Sequence, residues 1–333
     1  MNIKDFLMHN KVNPEDFTPL AEGYFGEENL DTEEIGYWKA SWRRLKRNKI
    51  AMVALVLIII LFLFAFVGPL LSPYTYDQQI RGHEAMFPCS QHPFGTDRLG
   101  RDLMVRCMIG TRISMIVGMV SAVIVMIIGS IYGAISGLTG GRVDIIMMRV
   151  VDIIYSVPEI LMIVVIKMVI GDSIENLAAN VKIFSGLQKI GTGLIAIFIV
   201  YGLLYWVGMA RIVRGQILQL KSFEFVTAAK ALGCSRSRLI KQHLLPNCIG
   251  QLVATVMLQI PSAIFTEAFL SYLGIGVSAP MASLGSLTSE ALNGFSSYPY
   301  RVIFPALLIS LIILSFNLFG DGLRDALDPK MKK

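Results

Sequence analysis

The stretch KSFEFVTAAKALGCSRSRLIKQHLLPN, Lys221 to Asn247, is basic and patterned like a helix, yet it lies between two runs apolar enough to enter a bilayer. Ser222 is placed to cap a helix, Glu224 follows in the first turn where the helix dipole favours negative charge, and Gly233 suits a left-handed ending. The spacing predicts about ten helical residues, roughly 15 Å of helix. Phe225, Ala229 and Leu232 recur at i, i+4 and i+7 and make one side apolar, with Lys230 off that stripe. A second helix is expected from Ser235 to Pro246. An apolar side kept at a membrane surface is better buried in a groove on a partner than in lipid, and Ala228 and Ala229 are small enough for close approach. The stretch reads as a docking helix for another subunit.

Outward from this loop the chain is strongly apolar. Of its 333 residues, 54% are hydrophobic and 16% charged, more apolar than a soluble core requires. Apolar runs at Ile50–Leu71, Ile113–Leu138, Ile145–Ile170, Leu194–Ala210, Leu252–Val277 and Val302–Phe319 mostly reach the roughly 20 residues that cross a bilayer. The expected fold is all-α and polytopic, with six transmembrane helices and membrane lipid around them. The cysteines form no CxxC pair. Cys89 and Cys107 share one connecting segment, where unpaired thiols are the reading preferred over a disulfide. His83 and His92 read as scattered loop residues, so no metal site is expected. With no GxxxxGK[ST] phosphate loop, any ATP and Mg that drive this protein are bound by other chains.

Residues 1–36 form an acidic tail without an apolar core, expected to be solvated and cytoplasmic. From Tyr37 the sequence turns to YWKASWRRLKRNK, two tryptophans among six cations directly before the first span. The positive-inside rule puts this end in the cytoplasm, and adjacency to the membrane argues against a nucleic-acid patch. Six crossings return the C-terminus inside and place the 221–247 loop on the cytoplasmic face.

Within the spans and their connections, charge is sparse enough to be read residue by residue. Gly95, Asp97, Gly100, Arg101 and Asp102 predict tight turns braced by Asp and Arg at the outer mouth. In the third span Arg149 and Asp152 are an i, i+3 pair expected to neutralise each other, Pro158 is expected to kink the helix, and Lys167 to snorkel. Residues 171–193 read as a polar external insertion. Glu267 lies deep in the fifth span with no opposite charge near it in sequence. It is either a translocation-pathway carboxylate or a structural one hydrogen-bonded across helices. Asp321, Arg324, Asp325 and Asp328 are spaced for ion pairs along the last helix end.

Several of these residues carry a family resemblance. Ala228-Ala229, three residues, Gly233 and then Leu245-Pro246 resemble the cytoplasmic loop motif of permease subunits from binding-protein-dependent ABC importers, with Thr227 where that motif usually has Glu and His243 where it often has Ile. Gly140–Pro158 resembles the family pattern GGxxDxxxMRxxDxxxSxP, and Glu267–Gly276 a segment at the contact between permease halves. The segments Gly68–Tyr74, His92–Met115 and Phe304–Pro329 are similar to those of oligopeptide and dipeptide permeases, so the likeness covers Tyr37–Pro329 apart from the insertion.

The resemblance implies the type I ABC importer permease fold. Residues 37–111 would hold an amphipathic segment, the first span and an external segment. Residues 112–322 would form the transmembrane domain with its coupling loop, and 323–333 a cytoplasmic tail. It also implies a second permease, two cytoplasmic ATP-binding subunits and an external solute-binding protein. Glu224, Phe225, Thr227, Ala228, Ala229, Leu232, Gly233, Leu245 and Pro246 would form the ATPase-coupling element, and the solute would be a peptide, or in related systems nickel or a glutathione-like molecule. An ion-coupled carrier would concentrate charge at mid-membrane and work alone. A membrane enzyme would show a catalytic grouping such as HExxH, which this sequence lacks.

Overall fold

The computed structural model describes residues 36–158, 161–166, 168–169, 192–277 and 281–327. The acidic tail, most of the 171–193 insertion, Lys167 and Asp328 lie outside the described residues. Among those described, no strand forms and helices follow one another along the chain: α1 Tyr37–Arg47, α2 Lys49–Phe66, α3 Gly68–Leu71, α4 Leu103–Thr139 and α5 Gly141–Ser156. After these come α6 Thr192–Val200, α7 Trp206–Leu220, α8 Glu224–Ala231, α9 Arg236–Arg238, α10 Leu245–Tyr272, α11 Leu284–Leu292 and α12 Tyr300–Leu327. Two π-helical turns, Tyr201–Tyr205 and Leu239–Leu244, join α6 to α7 and α9 to α10.

Five helices among the described residues are long and apolar enough to cross a membrane: Lys49–Phe66, Leu103–Thr139, Ile197–Leu220, Arg236–Tyr272 and Tyr300–Leu327. The remaining expected span, 145–170, is described only in part. There α5 stops at Ser156, and Val157 is extended at ψ 131. The residue before a proline is pushed out of the α region, so Pro158 interrupts this helix rather than bending it.

The spans are anchored by their caps. Asn48 accepts a hydrogen bond from the Ala51 N–H at the start of α2, and Asp102 accepts one from the Val105 N–H at the start of α4. At 37 residues, α4 is roughly 55 Å long, well beyond the 30 Å hydrocarbon slab.

The centre of the bundle is α4, which packs along α7 and α10, while α12 packs on α10 and α2. Close approach of α4 to α7 depends on Gly129, Gly133 and Gly137, one helical turn apart. A Cβ at Gly133 would collide with the Ala210 carbonyl oxygen. Without a hydrophobic force between helices in lipid, such small-residue seams let backbones gain dispersion contact. Conversely, Ile50, Val53, Ile60 and Leu63 on α2 are exposed and present an apolar surface to lipid.

Candidate functional site

The 221–247 loop folds around one inward residue. Val226 is fully buried and joins Leu239 and Leu244 in the main core, which fixes α8 against the chain's own π turn. The helix is shorter than expected, with eight residues, and begins after Phe223. Ser222 is not its cap: the Ser222 hydroxyl donates to the Gln219 carbonyl at 2.8 Å and so closes the preceding helix. Glu224 is in the first turn, as expected.

At the other end, Gly233 has φ +78. Its N–H donates to the Lys230 carbonyl, and the Cys234 N–H reaches back to Ala229. This pair of bonds is the Schellman ending, which needs a left-handed residue at that position. No atom of the described residues would crowd a side chain there, so the demand for glycine comes from the backbone.

Ser235 then caps the next helix, accepting from the Arg238 N–H at 3.3 Å. That helix does not end at Pro246 but passes through it into α10. A proline ring inside a regular α-helix clashes with the carbonyl four residues back, and the wider π turn at Leu239–Leu244 lies immediately before it. The Asn247 amide donates to the His243 carbonyl in this loosened stretch. Pro246 is therefore a joint between the loop and a membrane helix.

With Val226 turned inward, the opposite face of α8 is bare. Phe223, Phe225 and Leu232 are 51%, 39% and 88% exposed, and Thr227 and Ala228 are exposed beside them. Ala229 and Leu245 are half-buried against the core. The expected stripe is thus split: Phe225 and Leu232 face solvent, while Ala229 helps seat the helix.

Two ion pairs connect the approach to this loop with α5. Arg214 on α7 makes a two-bond fork to Asp144, which also accepts from the Ser136 hydroxyl. Arg211 pairs with Asp152 at 2.8 Å and lies over the Tyr155 ring at 4.6 Å. The expected Arg149–Asp152 pair does not form, because Asp152 is taken by the neighbouring helix and Arg149 is exposed. Nor do Asp321, Arg324 and Asp325 make ion pairs with one another among the described residues, although their spacing allows it.

Glu267 is fully enclosed. Its carboxylate accepts hydrogen bonds from Ser114 on α4 and Ser271 on α10, both at 2.7 Å. It lies on no surface of the chain in this arrangement and bridges two central helices.

At the opposite end of the bundle, residues 72–102 form an ordered cap. Asp97 accepts from the Arg101 side chain at 2.6 Å and from Arg106 at 2.5 Å, and also from the Leu99 and Arg101 N–H groups. Burial alone would raise this carboxyl. The Arg101 backbone bond and the two guanidinium groups overcome that and hold it below the usual carboxylate range. Gly95 and Gly100 take positive φ as the turns require.

His83 and His92 are not scattered. His92 is fully buried between Asp102, 2.7 Å from its Nδ1, and His83, 3.1 Å from its Nε2, with Tyr74 packed on its ring. The described residues contain no grouping suited to a metal, and Cys89 and Cys107 are free thiols.

The whole arrangement is a helical membrane bundle with an exposed apolar helix on one end and an ordered cap on the other. Residues 126–333 match the model for the inner membrane component of binding-protein-dependent transport systems, and residues 36–93 match the N-terminal transmembrane domain of oligopeptide transport permease C. The chain belongs to the family of binding-protein-dependent transport permeases.

The permease is 43% identical over 317 residues to the oligopeptide transport system permease protein OppC of Bacillus subtilis, covering 95% of this chain and 97% of the relative. It is 40% identical over 326 residues to the dipeptide transport system permease protein DppC of the same organism, covering 98% and 96%. With OppC of Escherichia coli K12 it shares 38% identity over 326 residues, covering 97% and 99%. The permease is accordingly a membrane transport component of a bacterial inner membrane, not an enzyme.

Proposed function

We propose that this permease is one of two membrane subunits of an ATP-driven importer of oligopeptides or dipeptides. It pairs with a second, similar permease, two ATP-binding subunits dock on the paired coupling loops and hold ATP and Mg, and an external solute-binding protein delivers the peptide. The peptide assignment rests on likeness to the oligopeptide and dipeptide permeases along nearly the full chain.

The observation that carries the mechanical reading is the bare face of α8. Phe225 on α8 and its flanking caps Phe223 and Leu232 stand exposed, while Val226 locks the other side of the helix into the core. A rigidly seated helix with an apolar outer face transmits force: movement of a docked ATPase pushes α8, and the push reaches α10 through Pro246 and α7 through Leu220. Burying Phe225 and Leu232 contributes about 1.5 to 3 kcal/mol each before the cost of association, which suits a reversible contact. ATP shifts the bundle between inward-facing and outward-facing arrangements only by favouring one over the other. In this reading both termini and the α8 loop are cytoplasmic, six helices cross the membrane, and the 72–102 cap faces outward.

The test is reconstitution in liposomes. Peptide uptake is expected only when the second permease, the ATPases, the binding protein and ATP are all present; uptake by this chain alone would end the proposal.

A further inference from the structure

A cleft of about 350 Å³ lies where the N-terminal turns of α4 meet α11 and the start of α12. Its walls carry the side chains of Arg98, Arg101, Arg106 and Arg301 against only two carboxylates, Asp97 and Glu290, so cations are in excess. Arg106 and Arg301 are 1% and 3% exposed, yet Arg106 Nε and Arg301 Nη2 have no hydrogen-bond partner among the described residues. Buried cations are normally fully paired, because an unmet donor on a desolvated charge is costly. The four guanidinium groups of the cleft thus outnumber its two carboxylates.

The two carboxylates are held in different ways. Asp97 is built in, with both oxygens bonded to backbone and guanidinium groups at 2.5 to 3.0 Å. Glu290 only touches: it is 3.4 Å from Arg101 and 3.0 and 3.5 Å from Arg106, and its side chain is 44% exposed. Charge-assisted bonds of full strength run about 2.7 to 2.9 Å, so Glu290 is a loose and replaceable partner. It also shows the shape of anion that Arg101 and Arg106 accept, planar with two oxygens. Leu103, Leu287 and Ala291 make the rest of the wall apolar.

We propose that this cleft binds a small carboxylate with a short apolar body, the carboxylate displacing Glu290 from Arg101 and Arg106 and its body lying against Leu103 and Leu287. The excess guanidinium charge of Arg98 and Arg301 favours the added anion. Pockets of this size hold small ligands rather than polypeptide segments. The inference does not depend on the transport reading, because the ligand binds or fails to bind whatever the chain carries.

The probe is N-acetyl-leucine, titrated by saturation-transfer NMR into the full chain in lipid nanodiscs, with N-acetyl-leucinamide as the control that lacks the charge. Half-saturation is expected on the order of millimolar for so small a ligand. The amide should bind at least about 10-fold more weakly, since it forfeits a charged hydrogen-bonding group. Glu290→Gln removes the internal competitor and should tighten binding about 3- to 10-fold. Arg98→Gln should weaken it about 3-fold. Equal binding of acid and amide, no transfer at all, or a Glu290→Gln variant that binds no better would overturn the assignment. Displacement of N-acetyl-leucine by inorganic phosphate at equal concentration would also overturn it, marking a general anion site. The wild-type comparison of acid with amide stands even if a variant fails to fold.

Discussion

Asp144 and Arg214 meet in a fork, Nε to Oδ1 and Nη2 to Oδ2 both at 2.6 Å, although 70 residues separate them in the chain. The pair ties α5 to the helix that leads into the 221–247 loop. The two parallel bonds fix direction as well as distance, so α7 cannot rotate about its axis without breaking them.

Loss of this fork should cost stability. Arg214→Gln or Asp144→Asn is expected to lower the unfolding free energy by about 1 to 3 kcal/mol. The double variant should cost less than the sum of the singles, because each single change leaves the other partner unmet. Thermal unfolding in detergent gives all three values, and strictly additive costs would show that the pair is not coupled.

Gly233 offers a cleaner test of the proposed coupling role, because among the described residues only its backbone conformation restricts it. Gly233→Leu should cost about 1 to 2 kcal/mol in local strain and loosen the end of α8 while the chain still reaches the membrane. Gly233→Asn should do less harm, since Asn tolerates the left-handed region. ATP hydrolysis per peptide imported is the quantity to measure. An unchanged ratio in Gly233→Leu would count against α8 as the transmitting helix.

Phe225→Ser and Leu232→Ser alter only exposed side chains, so stability should change by no more than about 0.5 kcal/mol. If the bare face receives an ATPase, the same variants should lose most of the ATPase subunit on affinity purification. Retention of the subunit by the Phe225→Ser, Leu232→Ser double variant would move the docking site elsewhere.

Glu267 is sealed from the surface in this arrangement, held by Ser114 and Ser271. Glu267→Ala should destabilise by roughly 2 to 4 kcal/mol, through a cavity and two serine hydroxyls left unmet. Glu267→Gln retains oxygen for one serine and should cost less than half as much. If both variants unfold like the wild type but import a different range of peptides, the residue serves the pathway after all.

The cap at the opposite end should weaken in acid. Asp97 has a depressed folded-state pKa, so the stability it contributes is present above the ordinary carboxylate value of about 3.9 and is lost as pH falls through the lower folded value. The thermal advantage of the wild type over Asp97→Asn is expected to be constant near neutrality and to shrink below about pH 4. A constant difference down to pH 3 would contradict the paired state of Asp97.

Much of the 221–247 loop was legible because its signals are local. Glycine at position 233, the acidic first turn and the serine before Arg236 act within one turn of backbone, and their outcomes follow from short-range sterics and hydrogen bonds. The exception is instructive. Ser222 has the right chemistry for a cap, but the ending of α7 uses it instead, and only the path of the chain decides between two adjacent helix ends. In the same way, period alone marked Phe225, Ala229 and Leu232 as a stripe without showing that Val226 supplies the inward contact.

Charge partners were the least legible feature. Asp152 had a cation three residues away in Arg149 and pairs instead with Arg211 on another helix. His92 looked isolated and is held by His83 and by Asp102, residues nine and ten positions away. A faint signal existed for the first case, since Arg211 and Arg214 sit one turn apart on a span and need anionic partners within the bundle.

By itself the sequence determined that this chain lives in a membrane, is built from helices, and carries an amphipathic helix between two of its spans. Those outcomes depend on apolar run length and on backbone preferences that neighbours rarely overturn. Only the tertiary structure decided which polar groups meet, that Glu267 is sealed between α4 and α10, and that the outer face of α8 stays bare. Each of those depends on which helices the glycine seam of α4 allows to touch, a matter of packing between residues far apart in the chain.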